Sequence, residues 1–289
     1  MNLFMCYSLS FVMRAEPNES IRPHSATAHR GRVKLICDPC VQEESIEKSV
    51  GKFYRLAHES GRGKSLTVNK TYSINSPEIS DYVGRLYRGY AARKKSVRAR
   101  ASRAGLPDIH VGPMDALHLE VIVRAVRAKK AVEIGTLAGY SGESIARGLA
   151  QGGKLYTLEC EPKHAAVARE TFRKAGLLKR VEILTGPAME SLKRIEAKGP
   201  FDFVFIDADK VNYSAYLDWA AKHLRAGGVM AADNTFAFGL IAGDSPIEDP
   251  RRNQNVRALR AFNLKVARHP KFVSTILPTG EGLTIAVKR

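Results

Sequence analysis

No apolar run in this sequence reaches the roughly 18–20 residues that a helix needs to cross a bilayer, so no membrane partner is expected. Cysteine is scarce: the four are Cys6, Cys37, Cys40 and Cys160. That is too few for a disulfide scaffold, and a reducing, cytoplasmic setting is the expectation. Cys37 and Cys40 have the C-x-x-C spacing. No second Cys or His pair follows at zinc-finger distance, which disfavours metal or redox use. Acidic residues are missing from Arg85 to Arg103, where eight basic residues stand in RLYRGYAARKKSVRARASR. Such a run is usually the solvated face of a helix, and it can also hold an acidic partner such as RNA. Two phosphate-binding signatures are absent as well: G-x-G-x-x-G and the P-loop lysine.

What is present suffices for one sizeable core, or one domain plus extensions: 289 residues, 44% of them apolar. The net charge is +17. The opening MNLFMCYSLSFVM lacks a basic n-region and a small-x-small cleavage site, so it reads as a poor signal peptide. A transit segment, or a start placed too far upstream, fits it better. Residues 1–75 scatter Pro, Ser, His and Gly without a sustained apolar period, and read as a poorly ordered or weakly helical extension. Residues 76–110 read as a basic helical segment with a connector, Ser76 capping and Pro77 in the first turn.

From residue 111 to 289 the pattern is regular. Helical periods near 114–127, 140–150, 163–175, 188–197, 213–224 and 252–268 alternate with strand-like runs such as AVEI, KLYTLEC, FDFVFIDA and GVMAAD. That alternation predicts an α/β fold with a mostly parallel, doubly wound sheet. FVSTILPTGEGLTIAVK predicts a terminal antiparallel hairpin. Trp219, at helical spacing with Leu217 and Leu224, reads as core, and His110, His118 and His269 read as structural.

The first strand ends in VEIGTLAGYSG. A strand, a glycine-bearing loop and a helix make a nucleotide-binding unit. Position 137, where a dinucleotide fold needs glycine for its pyrophosphate, is Leu. A wide loop without phosphate machinery suits a nucleoside that lacks phosphate. Glu133 is placed to take an ammonium. Glu159, 26 residues further on at the end of the second strand, is placed to accept ribose hydroxyls. Together they point to S-adenosylmethionine. Two later strands also end on side-chain oxygens: Asp207 in FIDADK, and Asp233-Asn234 in GVMAADN.

VEIGTLAGYSG, TLECEP, GPAMESL, FIDADKVNY and GGVMAADN occur in that order and spacing. Together they resemble the cation-dependent O-methyltransferases, the family of catechol and caffeoyl-coenzyme A methyltransferases. The similarity runs from about Asp108 to Arg289. It implies a Rossmann-like fold of seven strands, a homodimer, and specific roles. Asp207, Asp233 and Asn234 match metal ligands, with Mg2+ expected and Ca2+ or Mn2+ as alternatives. Lys210 matches the general base. Val111, Glu133, Gly135, Thr136, Ser141, Glu159 and Ala188 match cofactor contacts, and Asp207 also lies beside the transferred methyl. One departure stands out: many members carry DNxLW, whereas this chain has DNTFAFG, with Ala237 at the tryptophan position and Phe238 next. The implied activity is methyl transfer to a small aromatic with vicinal hydroxyls. A second reading is methylation of a hydroxylated uridine in tRNA. A non-catalytic nucleoside-binding protein is a third, against which Lys210 and the oxygen ligands argue.

Overall fold

The computed structural model of the chain describes residues 77–243 and 247–289. The expected extension over 1–75 and the Cys37–Cys40 pair lie outside the described residues. Two helices come first, α1 (Pro77–Leu86) and α2 (Arg88–Arg103), then α3 (Pro113–Ala125). Within the segment read as helical with a connector over 76–110, α1 and α2 are parted at Tyr87, and the Ser76 cap lies outside the described residues. Next come β1 (Lys130–Ile134), α4 (Tyr140–Gly148), β2 (Lys154–Glu159), α5 (Pro162–Lys174) and β3 (Val181–Thr185). The chain continues with α6 (Ala188–Ile195), β4 (Phe201–Ile206), α7 (Tyr213–His223) and β5 (Leu224–Ala232). It ends with α8 (Pro250–Ala267), β6 (Phe272–Leu277) and β7 (Leu283–Lys288). Proline takes an early helical position in α3, α5 and α8, where a missing N–H costs nothing. Asp249 caps α8 by accepting from the N–H groups of Arg251 and Arg252.

The seven strands form one sheet in the order β3-β2-β1-β4-β5-β7-β6. β1 to β5 pair in parallel, and β7 runs antiparallel to both β5 and β6. The order reverses between β1 and β4, and the crevice at such a switch point, beyond the carboxyl ends of the strands, is where ligands bind.

Side chains alternate between two cores. Val132, Ile134, Val204 and Ile206 pack with Tyr213, Tyr216, Trp219 and Phe262 of α7 and α8. Ala131, Phe203 and Phe205 pack on the opposite face with Val97, Leu119, Ile145 and Phe172 of α2 to α5. Trp219 is buried as expected. Truncating Phe203 or Phe205, both fully buried, to alanine costs roughly 3–5 kcal/mol.

α2 departs from the solvated-face reading. Tyr90, Lys94, Val97 and Ala101 are buried along one side, while Arg88, Arg93, Lys95 and Arg103 remain exposed. Lys94 is only 3% exposed and pairs with Glu143 at 3.1 Å. A helix with eight neighbouring basic positions in its sequence context still needs one face against the core, and here that face includes a lysine.

Candidate active site

The turn after β1 is built around close backbone approach. Gly135 has φ +97°, and a Cβ there would lie 1.9 Å from the Asp207 carbonyl oxygen. Only glycine meets both demands. Gly139, also at positive φ, leads into α4.

Glu133 is fully buried at the end of β1. Ser141 Oγ donates to its Oε1 at 2.6 Å, and Thr157 Oγ1 donates to its Oε2 at 2.6 Å. Thr136 Oγ1 contacts Thr157 Oγ1 in turn. Burial pushes the Glu133 carboxyl up to about 7, against the pull of those two hydroxyls. A buried acid poised this way gains strongly from a cationic partner.

Glu159 ends β2 and is tied to the glycine turn. Its Oε2 accepts from the Leu137 N–H at 2.7 Å and the Thr136 N–H at 3.3 Å, and its Oε1 accepts from the Glu161 N–H at 3.0 Å. Cys160 Sγ and His164 Nδ1 also lie 3.6 Å from Oε1, so the carboxylate is held from both turns beside it. Val111 is buried just before Gly112, the N-cap of α3. Ala188 is the first residue of α6, whose free N–H groups favour acceptors.

The second constellation sits at the ends of β4 and β5. Lys210 Nζ donates to Asp207 Oδ1 at 3.1 Å, to Asn234 Oδ1 at 2.6 Å and to the Tyr213 hydroxyl at 2.7 Å. Asp233 Oδ1 is buried without a hydrogen-bond partner. Burial, followed by the charge of Asp207, pushes the Asp233 carboxyl up to about 7. Two carboxylates and an amide oxygen form the hard-oxygen set that suits Mg2+, Ca2+ or Mn2+, and the orphaned Asp233 oxygen fits such a cation. Among the described residues no three His, Cys, Asp or Glu side chains form a ready metal cluster. The third oxygen here belongs to Asn234.

Two further carboxylates belong to this region and are not legible in the sequence. Asp115, in the first turn of α3, is buried; its Oδ1 accepts no hydrogen bond and has only His118 Nδ1 nearby, at 3.9 Å. It folds back over Gly112, where a Cβ would lie 2.8 Å from its Oδ2. Glu281, in the β6–β7 turn, has a buried Oε2 without a partner, and burial and then Asp115 push its carboxyl up. An acid in a first helical turn reads as ordinary dipole compensation, so nothing in the sequence marks Asp115. Asp115 thus acts electrostatically on both Asp233 and Glu281, and Lys210, bonded to Asp207, opposes it at both.

The loop carrying Asn234 is clamped. Thr235 N–H and Oγ1 both donate to the Gly282 carbonyl, and Phe236 N–H donates to that of Glu281. A Cβ on Gly282 would meet the Phe236 ring at 2.6 Å. Asn234, Ala237 and Phe238 all have φ near +50° to +60°. Non-glycine residues in that region are held there by their surroundings and cluster at functional sites. Phe238 is 67% exposed beside this loop.

A seven-stranded sheet with this order and reversed hairpin, and acids on either side of a glycine turn, defines a class I, Rossmann-like methyltransferase. Comparison with known proteins agrees. The O-methyltransferase family model matches residues 91–289. A catechol O-methyltransferase of Mycobacterium tuberculosis is 37% identical over 205 residues, covering 71% of this chain and 90% of its own. One from Niastella koreensis is 39% identical over 178 residues, covering 61% and 78%. The O-methyltransferase from Bacillus cereus, solved in complex with SAH, superposes with a TM-score of 0.67 at 37% identity, covering 73% of this chain and 97% of that one. The chain belongs to the O-methyltransferase family of catechol and caffeoyl-CoA type, and S-adenosylmethionine is its methyl donor.

Proposed function

We propose that this enzyme methylates one hydroxyl of a small aromatic bearing vicinal hydroxyls, with a divalent cation, Mg2+ first, held by Asp207, Asp233 and Asn234. The observation that carries the reading is the convergence of Lys210 Nζ on Asp207 Oδ1 and Asn234 Oδ1, at 3.1 and 2.6 Å. Base and ligand oxygens share one point in space. A neutral phenol is a poor nucleophile with a pKa near 10, and a bound dication lowers that pKa and fixes two adjacent oxygens.

The protein residues supply the rest. Glu133 holds the donor's ammonium, Glu159 its ribose, and Gly135 lets the backbone approach. Thr136, Ser141, Val111 and Ala188 line the same cleft. Lys210 now donates to three acceptors, so it takes the departing phenolic proton only as a neutral amine. Asp207 and Tyr213 orient it. Holding the hydroxyl in line with the sulfonium methyl supplies much of the remaining acceleration. Ala237 leaves the substrate wall to its neighbour Phe238.

The names of the relatives support a catechol-like acceptor. The exposed Arg88, Arg93, Lys95 and Arg103 support a second reading, a hydroxyuridine in tRNA. Exposed, free Cys160 suits a cytoplasmic setting. Val273 and Val287, paired in register at the sheet edge and 60% and 41% exposed, suit a homodimer. Labelled S-adenosylmethionine with a catechol panel and with total tRNA, each with and without EDTA, tests the reading. Transfer to catechols that EDTA abolishes is expected. Transfer to tRNA alone, or transfer indifferent to EDTA, overturns it.

A further inference from the structure

Lys94 is the one basic residue of α2 that is both buried and engaged with the glycine-turn helix. Its Nζ donates to the Tyr140 carbonyl at 2.8 Å and to Glu143 Oε2 at 3.1 Å. It also lies 5.0 Å from the Tyr140 ring centroid and 5.7 Å from that of Tyr90. One turn away, the Tyr90 hydroxyl bonds Ser144 Oγ at 2.7 Å. Glu143 Oε1 is taken by Arg147 at 2.9 Å. Tyr140, Glu143, Ser144 and Arg147 all lie on α4.

Burying this lysine is expensive. Desolvation pulls its pKa down, with Glu143 pulling the other way. An apolar pair of the same shape is commonly as stable as a buried ion pair, or more so. What the charged pair supplies is directional: two hydrogen bonds fix the height and rotation of residues 140–143 relative to α2. Those residues have no slack on their other side. Ser141 bonds Glu133, and a Cβ on Gly142 would lie 2.5 Å from Glu133 Oε2. A shift of a few tenths of an ångström at Tyr140 therefore reaches the carboxylate that faces the donor's ammonium.

We infer that Lys94 is a positioning residue for the cofactor: through the Tyr140 carbonyl and Glu143 it sets the turn that presents Ser141 to Glu133. The inference rests on the reading of the Gly135–Ser141 turn as the S-adenosylmethionine site. It places a determinant of cofactor affinity on a helix outside the βαβ unit.

The test uses the full chain and S-adenosylhomocysteine (SAH) titration calorimetry, with steady-state kinetics in S-adenosylmethionine. Lys94→Met should raise the SAH Kd about tenfold, the scale of losing a charged hydrogen bond. It should raise KM for S-adenosylmethionine while kcat at saturation stays within about twofold. Val97→Ala, in the same buried face of α2, controls for loose packing: it should lower Tm and leave the Kd unchanged. Deuterium exchange should rise at 137–144 in Lys94→Met and not in Val97→Ala. A Kd within twofold of wild type in Lys94→Met, or an equal rise in Val97→Ala, overturns the inference. If Lys94→Met does not fold, Glu143→Gln decides: a Kd raised threefold or more supports it, and an unchanged Kd overturns it. Wild-type protein that fails to bind SAH, or a Glu159→Ala variant that binds it normally, instead removes the site reading, and the inference falls with it.

Discussion

The backbone of Gly135 lies so close to the Asp207 carbonyl that a Cβ on the glycine would stand 1.9 Å from that oxygen. This contact joins the cofactor turn after β1 to the acidic end of β4. Gly135→Ala should therefore act on both halves of the site. The added methyl meets backbone, which cannot swing aside, and φ +97° strains any side chain. A loss of at least about 2 kcal/mol in denaturant unfolding is expected, together with loss of SAH binding. Normal stability and affinity would show that the two strand ends part easily.

If a cation sits on Asp207, Asp233 and Asn234 as proposed, removing it and removing a charged ligand should have the same outcome. Asp233→Ala should lower methyl transfer roughly 100-fold or more, beyond the scale of losing a partner that only orients a ligand. EDTA should do likewise, and added Mg2+ or Mn2+ should restore only the wild type. SAH affinity measured without metal should stay close to wild type in Asp233→Ala. Activity that survives both treatments would remove the cation from the mechanism.

Glu159 is bonded to the glycine turn, and its proposed ribose contact is tested by two substitutions. Glu159→Ala should weaken SAH by about 1–3 kcal/mol through lost charged hydrogen bonds. Glu159→Gln keeps acceptor geometry toward Thr136 and Leu137 and should recover part of that loss. Equal affinity of all three proteins would move the ribose contact elsewhere.

The pH dependence of cofactor binding follows from Glu133. Folding raises its carboxyl from the usual 4.5 to about 7. Between those values the folded chain holds a proton that the unfolded chain has released. The cofactor-free protein therefore loses this contribution to stability as pH rises through that window. Binding an ammonium needs the carboxylate, so SAH affinity should strengthen from pH 6 to pH 8, by about tenfold if Glu133 acts alone. Burial and the charge of Asp207 push the midpoint up, and Ser141, Thr157 and Lys94 pull it down. Glu133→Gln should bind weakly with a flat profile, and an unchanged pH response in that variant would assign the proton elsewhere.

The exposed charges of α2 distinguish the two acceptors. Arg88, Lys95 and Arg103 changed together to Glu should leave catechol methylation within about twofold. If tRNA is the acceptor, its affinity should fall and its salt slope should shrink by about one per lost phosphate contact. Lys94 and Arg98 are unsuitable for this test. Lys94 is buried against α4, and the Arg98 guanidinium lies 5.3 Å from the Tyr140 ring centroid.

The amino-acid sequence determined the architecture by itself, because parallel inner strands and their covering helices differ in apolar period. β1, β4 and β5 stand where their buried runs are written, and the C-terminal hairpin follows from Gly280 and Gly282 between two alternating strands. The family motifs also mark Asp207, Lys210, Asp233 and Asn234 locally, since strand-end chemistry lies within a few residues of the strand. Tertiary structure alone decided the rest. Asp115 and Glu281 join the acidic cluster from α3 and the last turn, separated by more than 160 positions in the chain. Lys94, written inside a run of solvated charges, is buried because α2 must cover α4, and that covering places an ammonium on the Tyr140 carbonyl. Local pattern encodes which residues can be buried; which charge meets which across 46 or 166 residues depends on how the helices close over the sheet.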